Sequence, residues 1–282
     1  MSKNLFDLTH ELARALGVVN EGVATGGTTT TIIDTVERTE ADDFFNGGTA
    51  WILYDAAGAG AAPQGEYSFV TDTTLSTNTL TLRSTLTAAV ASGDRYAVAR
   101  VKYPLQLLIQ KINEALSAIP IEKDDITTIT IAADQTEYSL PADVWKLKKV
   151  YLQTNTDDTN DNRFDEIFDW EVQKSATGTA NKLILKRQFS TDVILKLAYL
   201  TNHQTLRVAT DKLDDTIHIN RVIYNAAVGC LIWRKAKVGE SDSSVNELLN
   251  YYQGLANQMN AEFAVEYPRK QAKTIHLTLD RP

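Results

Sequence analysis

The sequence predicts an α+β protein: a helical frame with one N-terminal, one central and two C-terminal helices, an inserted small β-barrel or sandwich, and a second antiparallel β region. Three observations carry this. Residues 25 to 100 hold no lysine and many threonines, and short β-branched and aromatic runs (Thr29 to Thr35, Thr49 to Tyr54, Tyr67 to Thr71, Thr79 to Leu82, Tyr96 to Val101) are separated there by Gly, Asn and Asp. On either side of that stretch, apolar residues recur at helical spacing. Residues 126 to 200 return to strand-like alternation.

In chain order, Leu5, Leu8, Leu12 and Leu16 line one face of a helix over residues 4 to 16, ended by Gly17. The β stretch turns at Asn46-Gly47-Gly48, Gly58 to Gly65 and Ser92-Gly93-Asp94, where side chains tolerate positive φ or bond locally. Pro104 suits the first turn of a second helix carrying Leu105, Leu108, Ile109, Ile112, Leu116 and Ile119, and Pro120 stops it. Residues 20–102 therefore read as a module inserted into a frame of residues 1–19 and 103–122.

Within residues 123–205, ITTITIA, VWKLKKVYLQ, KLILKR and DVILKLAYL read as strands. Leu140-Pro141 makes a corner, with a new strand starting near Val144. NKLILKRQFSTDVILKLAYL reads as a hairpin turning at Phe189 to Asp192, and residues 164 to 173, FDEIFDWEVQ, as a short helix or turn. Residues 206–267 form a helix pair. The first has a face of Leu213, Ile217, Ile223, Ala227, Cys230 and Leu231 ended by Gly239. The second, opened by the capping box Ser244/Glu247, carries Val245, Leu248, Leu249, Tyr252, Leu255, Met259 and Phe263, with Pro268 as its stop. Residues 268–282 are an extended arm: Arg269, Lys270 and Lys273 precede alternating Ile275, Leu277 and Leu279, an apolar strand with no neighbour in sequence. Such a strand must pair with its own sheet or with another subunit, so these six residues are the candidate partner-binding set.

Composition, 43% hydrophobic and 23% charged, is that of a globular protein, and no apolar run approaches the ~20 residues of a membrane helix. The N-terminal residues have a helical period with acidic residues inside it, unlike a secretory leader, which places synthesis in the cytoplasm. Cys230, the one cysteine, sits in the apolar context AAVGCLIW and reads as a buried small hydrophobe. Between Glu21 and Arg100, ten acidic residues face four arginines, a net of −6 out of −8 for the chain. An acidic module repels nucleic acid, which excludes sequence-specific DNA binding through it and suits a channel wall past which DNA slides.

No catalytic residues, cofactor or metal ligands are assigned. The four histidines, His10, His203, His218 and His276, lie far apart and fit no metal spacing. There is no P-loop, and the Gly58-Ala59-Gly60 stretch leads into a strand instead of a phosphate-binding helix, as a hairpin tip does. Asp158, Asn160 and Asn162 have the spacing of a calcium loop and Asp169 falls at its twelfth position, but Arg163 occupies the place of the turning glycine. Lys146, Lys148 and Lys149 beside Trp145 and Tyr151, and Arg234, Lys235 and Lys237, are cation groups that a solvated face or a helix C-terminus explains. Trp51, Tyr54 and Tyr67 are the candidates for stacking a sugar, though alternation puts Trp51 and Tyr54 on opposite faces, as in a packed barrel.

The segments TTTTIIDT, DDFFNGG, VTD, TLTL and SGDRYAV resemble a β module of tailed-bacteriophage virion proteins. The YSLPAD corner, the LILKRQFSTDVILKLAY pair and the final helix pair are similar to head-to-tail adaptor (neck or connector) proteins of such phages. The resemblance implies a structural virion protein with no turnover, synthesised in the host cytoplasm and placed between head and tail. It implies a homo-oligomeric ring, often a dodecamer, that docks on the portal protein and on downstream tail or neck proteins, away from any membrane, and continues a channel through which DNA passes non-specifically. A tail tubular protein further down the neck and a carbohydrate- or receptor-binding virion module are the alternative readings.

Overall fold

Threonine-rich alternation over residues 19–99 becomes seven strands: β1 (Val19–Val23), β2 (Gly26–Thr28), β3 (Thr31–Ile33), β4 (Thr49–Tyr54), β5 (Tyr67–Thr74), β6 (Thr79–Leu82) and β7 (Arg95–Ala99). The computed structural model describes residues 3–127, 129–154, 163–174, 181–189, 194–238 and 243–264. Strand order is β1-β7-β4-β5-β6-β3-β2, with every neighbouring pair antiparallel. The sheet begins and ends on strands that are consecutive in the chain. Ala24 N–H donates to the Asp94 carbonyl at 2.8 Å, and Thr25 N–H donates to that of Ile33 at 2.7 Å, so one bent segment borders both ends and closes a barrel. β5 bends likewise, pairing with β4 through Tyr67–Phe69 and with β6 from Val70 onward, with a register shift between Val70 and Asp72. Closure removes the free edges that would template aggregation. Ile32, Phe45, Ala50, Ile52, Val70, Leu80, Leu82 and Val98 fill the interior.

The barrel also holds a buried polar cluster. Tyr96 Oη donates to Asp34 Oδ2 at 2.7 Å and accepts from Arg38 Nε at 2.6 Å, and Arg38 also donates to Glu40 at 3.0 Å. The other oxygen of Asp34 accepts the Val36 and Glu37 amides at 3.1 and 2.9 Å. Both carboxylate oxygens of Asp34, the Tyr96 hydroxyl and the Arg38 Nε and Nη1 groups thus have partners, as burial demands. Burial pushes the Tyr96 phenol far above its ordinary pKa, which keeps it a donor. Gly22 is required beside it, because a Cβ there would lie 2.8 Å from Asp34 Oδ2 and 2.9 Å from the Tyr96 hydroxyl.

Four helices accompany the barrel among the described residues: α1 (Leu5–Ala15), α2 (Leu105–Ser117), α3 (Ile219–Val238) and α4 (Ser243–Glu262). Up to Ile119, and again over Asn202–Phe263, the chain forms one compact unit, with Pro120–Thr201 in a second. α1 opens with an Asn4/Asp7 capping box and presents Leu5, Leu8 and Leu12 inward. It covers the outer face of β4 and β7. Trp51, fully buried, donates Nε1–H to Thr9 Oγ1 at 3.1 Å, while its neighbours on that face, Thr49, Ala97 and Ala99, are small enough to let a helix approach. Trp51 is therefore no sugar platform, and the stacking expectation is corrected: a β4 covered on both sides shows no alternation of exposure until Leu53. α3, shielded by α1, α2 and α4, is the central helix. It starts at Ile219, leaving Leu213 and Ile217 in the preceding turn, where Asp214 Oδ1 holds the Thr216 amide at 3.0 Å. α4 starts at Ser243, a residue ahead of the expected cap, and ends at Glu262, before Pro268.

The second unit holds β8 (Pro120–Asp125), β9 (Glu137–Ser139), β10 (Lys146–Gln153), β11 (Phe164–Ile167), β12 (Trp170–Gln173), β13 (Lys182–Leu185) and β14 (Leu195–Asn202). They form a four-stranded sheet, β11-β10-β14-β8, and a three-stranded one, β12-β13-β9. Tyr138, Leu147, Val150, Ile167, Leu183, Leu185, Leu195 and Leu197 make one core between them. Three expectations are corrected here. FDEIFDWEVQ is two strands broken at Phe168-Asp169, because Ile167 pairs with Val150 and Trp170 with Leu185, and this long-range pairing outweighs the local helix-like spacing. KLILKR and DVILKLAYL are not a hairpin: β13 takes β12 and β9 as neighbours and β14 takes β10, so the chain crosses between sheets. ITTITIA contributes a single bridge, Thr130 to Ile194, and buries Ile129 and Ile131 in the core instead of forming a ladder. The Pro141 corner holds, with β10 starting two residues after Val144.

Asp34→Ala leaves Arg38 and Tyr96 without their buried acceptor and is expected to cost about 3–5 kcal/mol in denaturant unfolding, whereas Tyr96→Phe should cost about 1–3 kcal/mol. A second prediction concerns acid. His10 sits 6.0 Å from the Trp51 ring, with Nε2 unbonded and 3.7 Å from Glu21, and burial, outweighing Glu11 and Glu21, lowers its pKa below 6.5. The unfolded chain therefore takes up this proton at higher pH than the folded one, so stability is full above about pH 6.5 and declines below it. His10→Leu should flatten that decline in melting curves taken from pH 7 to 5.

Candidate functional site

The partner-binding candidates Arg269, Lys270, Lys273, Ile275, Leu277 and Leu279 lie outside the described residues, and the described chain shows how the helix before them is fixed. Arg221, in the first turn of α3, donates Nε–H to Asn260 Oδ1 at 2.9 Å and Nη1–H to the Phe263 carbonyl at 3.1 Å. Asn260 in turn donates to Asn225 Oδ1 at 3.2 Å, and the Phe263 ring stacks on His218 at 5.2 Å. A cleft of about 330 Å³ beside this cluster is lined by Lys3, Leu213, Asp214, Thr216, His218 and Phe263. The last turn of α4 is thus bolted to the first turn of α3 by directional bonds that fix helix register. Sequence reading missed Arg221, Asn225 and Asn260. Their signal was the polar pair Arg221 and Asn225, four residues apart on the same helix face.

The remaining candidates are dispersed. His203 accepts the Asp214 amide through Nε2 at 3.0 Å, and His10 and His218 serve the packing already described. His276 and the calcium-spaced Asp158, Asn160 and Asn162 lie outside the described residues. Among the described residues, no group of three His, Cys, Asp or Glu side chains is placed to hold a metal ion. Lys148 and Lys149 pair with Glu122 and Glu166, the latter at 3.1 Å, and Lys237 lies 4.5 Å over the Trp233 ring. Tyr67 stacks on Phe6 at 6.5 Å and Tyr54 stands alone at 40% exposure. Gly58 to Gly65 is a turn-rich tip whose Gly60 amide donates to Gln64 at 2.8 Å.

The acidic balance of the barrel divides in two. Asp34, Asp55 and Asp94 are buried and accept backbone amides; Asp94 takes those of Ala56 and Ala91 at 2.8 and 2.7 Å and so shapes the turn before β7. With Arg38 also buried, Glu21, Glu37, Glu40, Asp42, Asp43, Glu66 and Asp72 face Arg83, Arg95 and Arg100, which leaves the barrel surface at −4. The signature aspartates Asp34 and Asp94 are architectural.

Cys230 is fully buried, and burial pushes its thiol up to about 12. A thiol so protonated is a poor nucleophile, so iodoacetamide at pH 8 should leave the native chain unlabelled, with labelling appearing only as denaturant unfolds it.

No curated protein matches the chain. The family model described as SU10 adaptor protein matches residues 73–274, from the last two residues of β5 through β6, β7, α2, all of the second unit, α3 and α4. That stretch is well over half of the sequence, and it leaves α1, β1 to β4 and most of β5 outside. Helices, antiparallel sheets and the matched family agree: the chain belongs to the SU10 adaptor protein family, the head-to-tail adaptors of tailed bacteriophages.

Proposed function

We propose that this adaptor is a ring-forming subunit of the phage neck, seated between portal and tail proteins, that continues the DNA channel and carries out no chemical turnover. The family match over residues 73–274 carries the reading. The negative barrel surface supports it, because a wall of that sign near a channel repels phosphate and lets DNA slide without sticking. No described helix is long and apolar enough to cross a membrane. In this reading residues 20–102 are an accessory module on the helical frame of 1–19 and 103–122. Residues 123–205 and 206–267 are the adaptor body, and 268–282 is an arm through which Arg269, Lys270, Lys273, Ile275, Leu277 and Leu279 engage a partner.

Imaging of intact particles tests the placement. The expected result is a closed ring of this chain directly below the portal; density further down the tail would favour a tubular protein, and a place at a fibre tip would overturn the reading. Deleting residues 272–282 should leave melting behaviour within about 1 kcal/mol of the parent, as loss of an exposed segment does, while incorporation into particles is lost.

A further inference from the structure

The barrel is closed, so among the described residues the outermost strands lie in the second unit, β11 and β8 of one sheet and β12 and β9 of the other. These edges differ in chemistry. β8 runs through Glu122, Lys123, Asp124 and Asp125, a charged edge of the kind that discourages pairing, and β9 has only three residues. β11 and β12 are consecutive and meet at an apolar corner: Phe168 is 74% exposed and Val172, on β12, is 37% exposed. Asp165, Glu166, Asp169 and Glu171 interleave these apolar side chains. Among the described residues, lysines pair with two of the four, Lys149 at 3.1 Å from Glu166 and Lys186 at 3.8 Å from Glu171, both near the surface. Residues 164–172 themselves carry four acids and no cation around an exposed apolar strip, with Arg163 and Lys174 at the two ends of the segment.

Charge and pattern together specify what fits there. A strand added to β12 must alternate apolar side chains toward the strip and bring cations to the acidic flank. Arg269, Lys270 and Lys273 followed by Ile275, Leu277 and Leu279 meet both conditions within one segment of this chain. Residues 265–282 reach about 60 Å when extended, at roughly 3.3–3.6 Å per residue, enough to leave one copy and lie along the next. We propose that the C-terminal segment of each copy adds a strand to the β12 edge of the neighbouring copy, stapling the ring through backbone pairing, with the acidic corner selecting the basic arm. This rests on the ring reading above and names the receptor for the arm.

Paired cysteines in assembled particles test it, since buried Cys230 does not compete. In chains carrying Val172→Cys with Leu277→Cys, or with Ile275→Cys for the alternate register, mild oxidation should give a ladder of covalent multimers of this chain on a non-reducing gel. Adding Asp169→Lys and Glu171→Lys should reduce the ladder at least tenfold, and Lys270→Glu with Lys273→Glu should restore it. A faster-migrating single chain would mean that the arm folds back on its own sheet, and a cross-link to a different virion protein would mean that it docks elsewhere; either overturns the proposal, as does a ring that forms with no cross-link in either register. A chain found outside the neck by imaging would instead remove the ring reading itself, which separates the two failures.

Discussion

The fold of the first unit depends on a sheet that must be covered twice. β4 and β7 send Ala50, Ile52 and Val98 into the barrel and Trp51, Ala97 and Ala99 outward, and both sets are buried. An outward face of this kind in water would expose a whole indole; α1 removes it, and the Trp51 to Thr9 hydrogen bond satisfies the one polar atom that burial would otherwise strand. Thr9 can accept because its own hydroxyl proton goes to the Phe6 carbonyl at 2.9 Å. α1 is thus as much the lid of the barrel as the first helix of a bundle, and it ties to α4 through the Tyr252 hydroxyl on the Ala15 carbonyl.

What could be read in the sequence was what short-range physics decides. The Leu5, Leu8, Leu12, Leu16 spacing, the glycine after it, the β-branched runs and the Pro141 corner each state a local preference that nothing distant opposed. Residues 164–173 show the converse. Phe164, Ile167 and Phe168 have the spacing of a helix turn, yet cross-strand partners as distant as Val150 and Leu185 decide their conformation. The same holds for KLILKR and DVILKLAYL, where a nearby turn signal suggested pairing and the sandwich demanded separation. Non-local pairing leaves no trace at the spacing a sequence window samples.

The sequence points to a candidate arm but not to how the helix before it is anchored. Alternation and charge in the C-terminal segment come directly from composition, whereas the Arg221, Asn225, Asn260 and Phe263 cluster depends on two helices meeting in one register. Aspartates that read as surface charge were partly internal for a related reason: Asp34 and Asp94 serve backbone amides that only the closed barrel leaves in need of an acceptor.

Val19 and Ala99, where the chain joins and leaves the barrel, are direct partners across β1 and β7, which places their Cα atoms about 5 Å apart. A closed unit whose two ends are rungs of the same ladder asks almost nothing of its host: any surface loop that can splay by that distance accepts it without rerouting the chain. A unit with this geometry can be added to a host chain or removed from it without changing the path of the flanking segments. The condition that travels with it is the Trp51 face, so a new host must offer an apolar helix as cover.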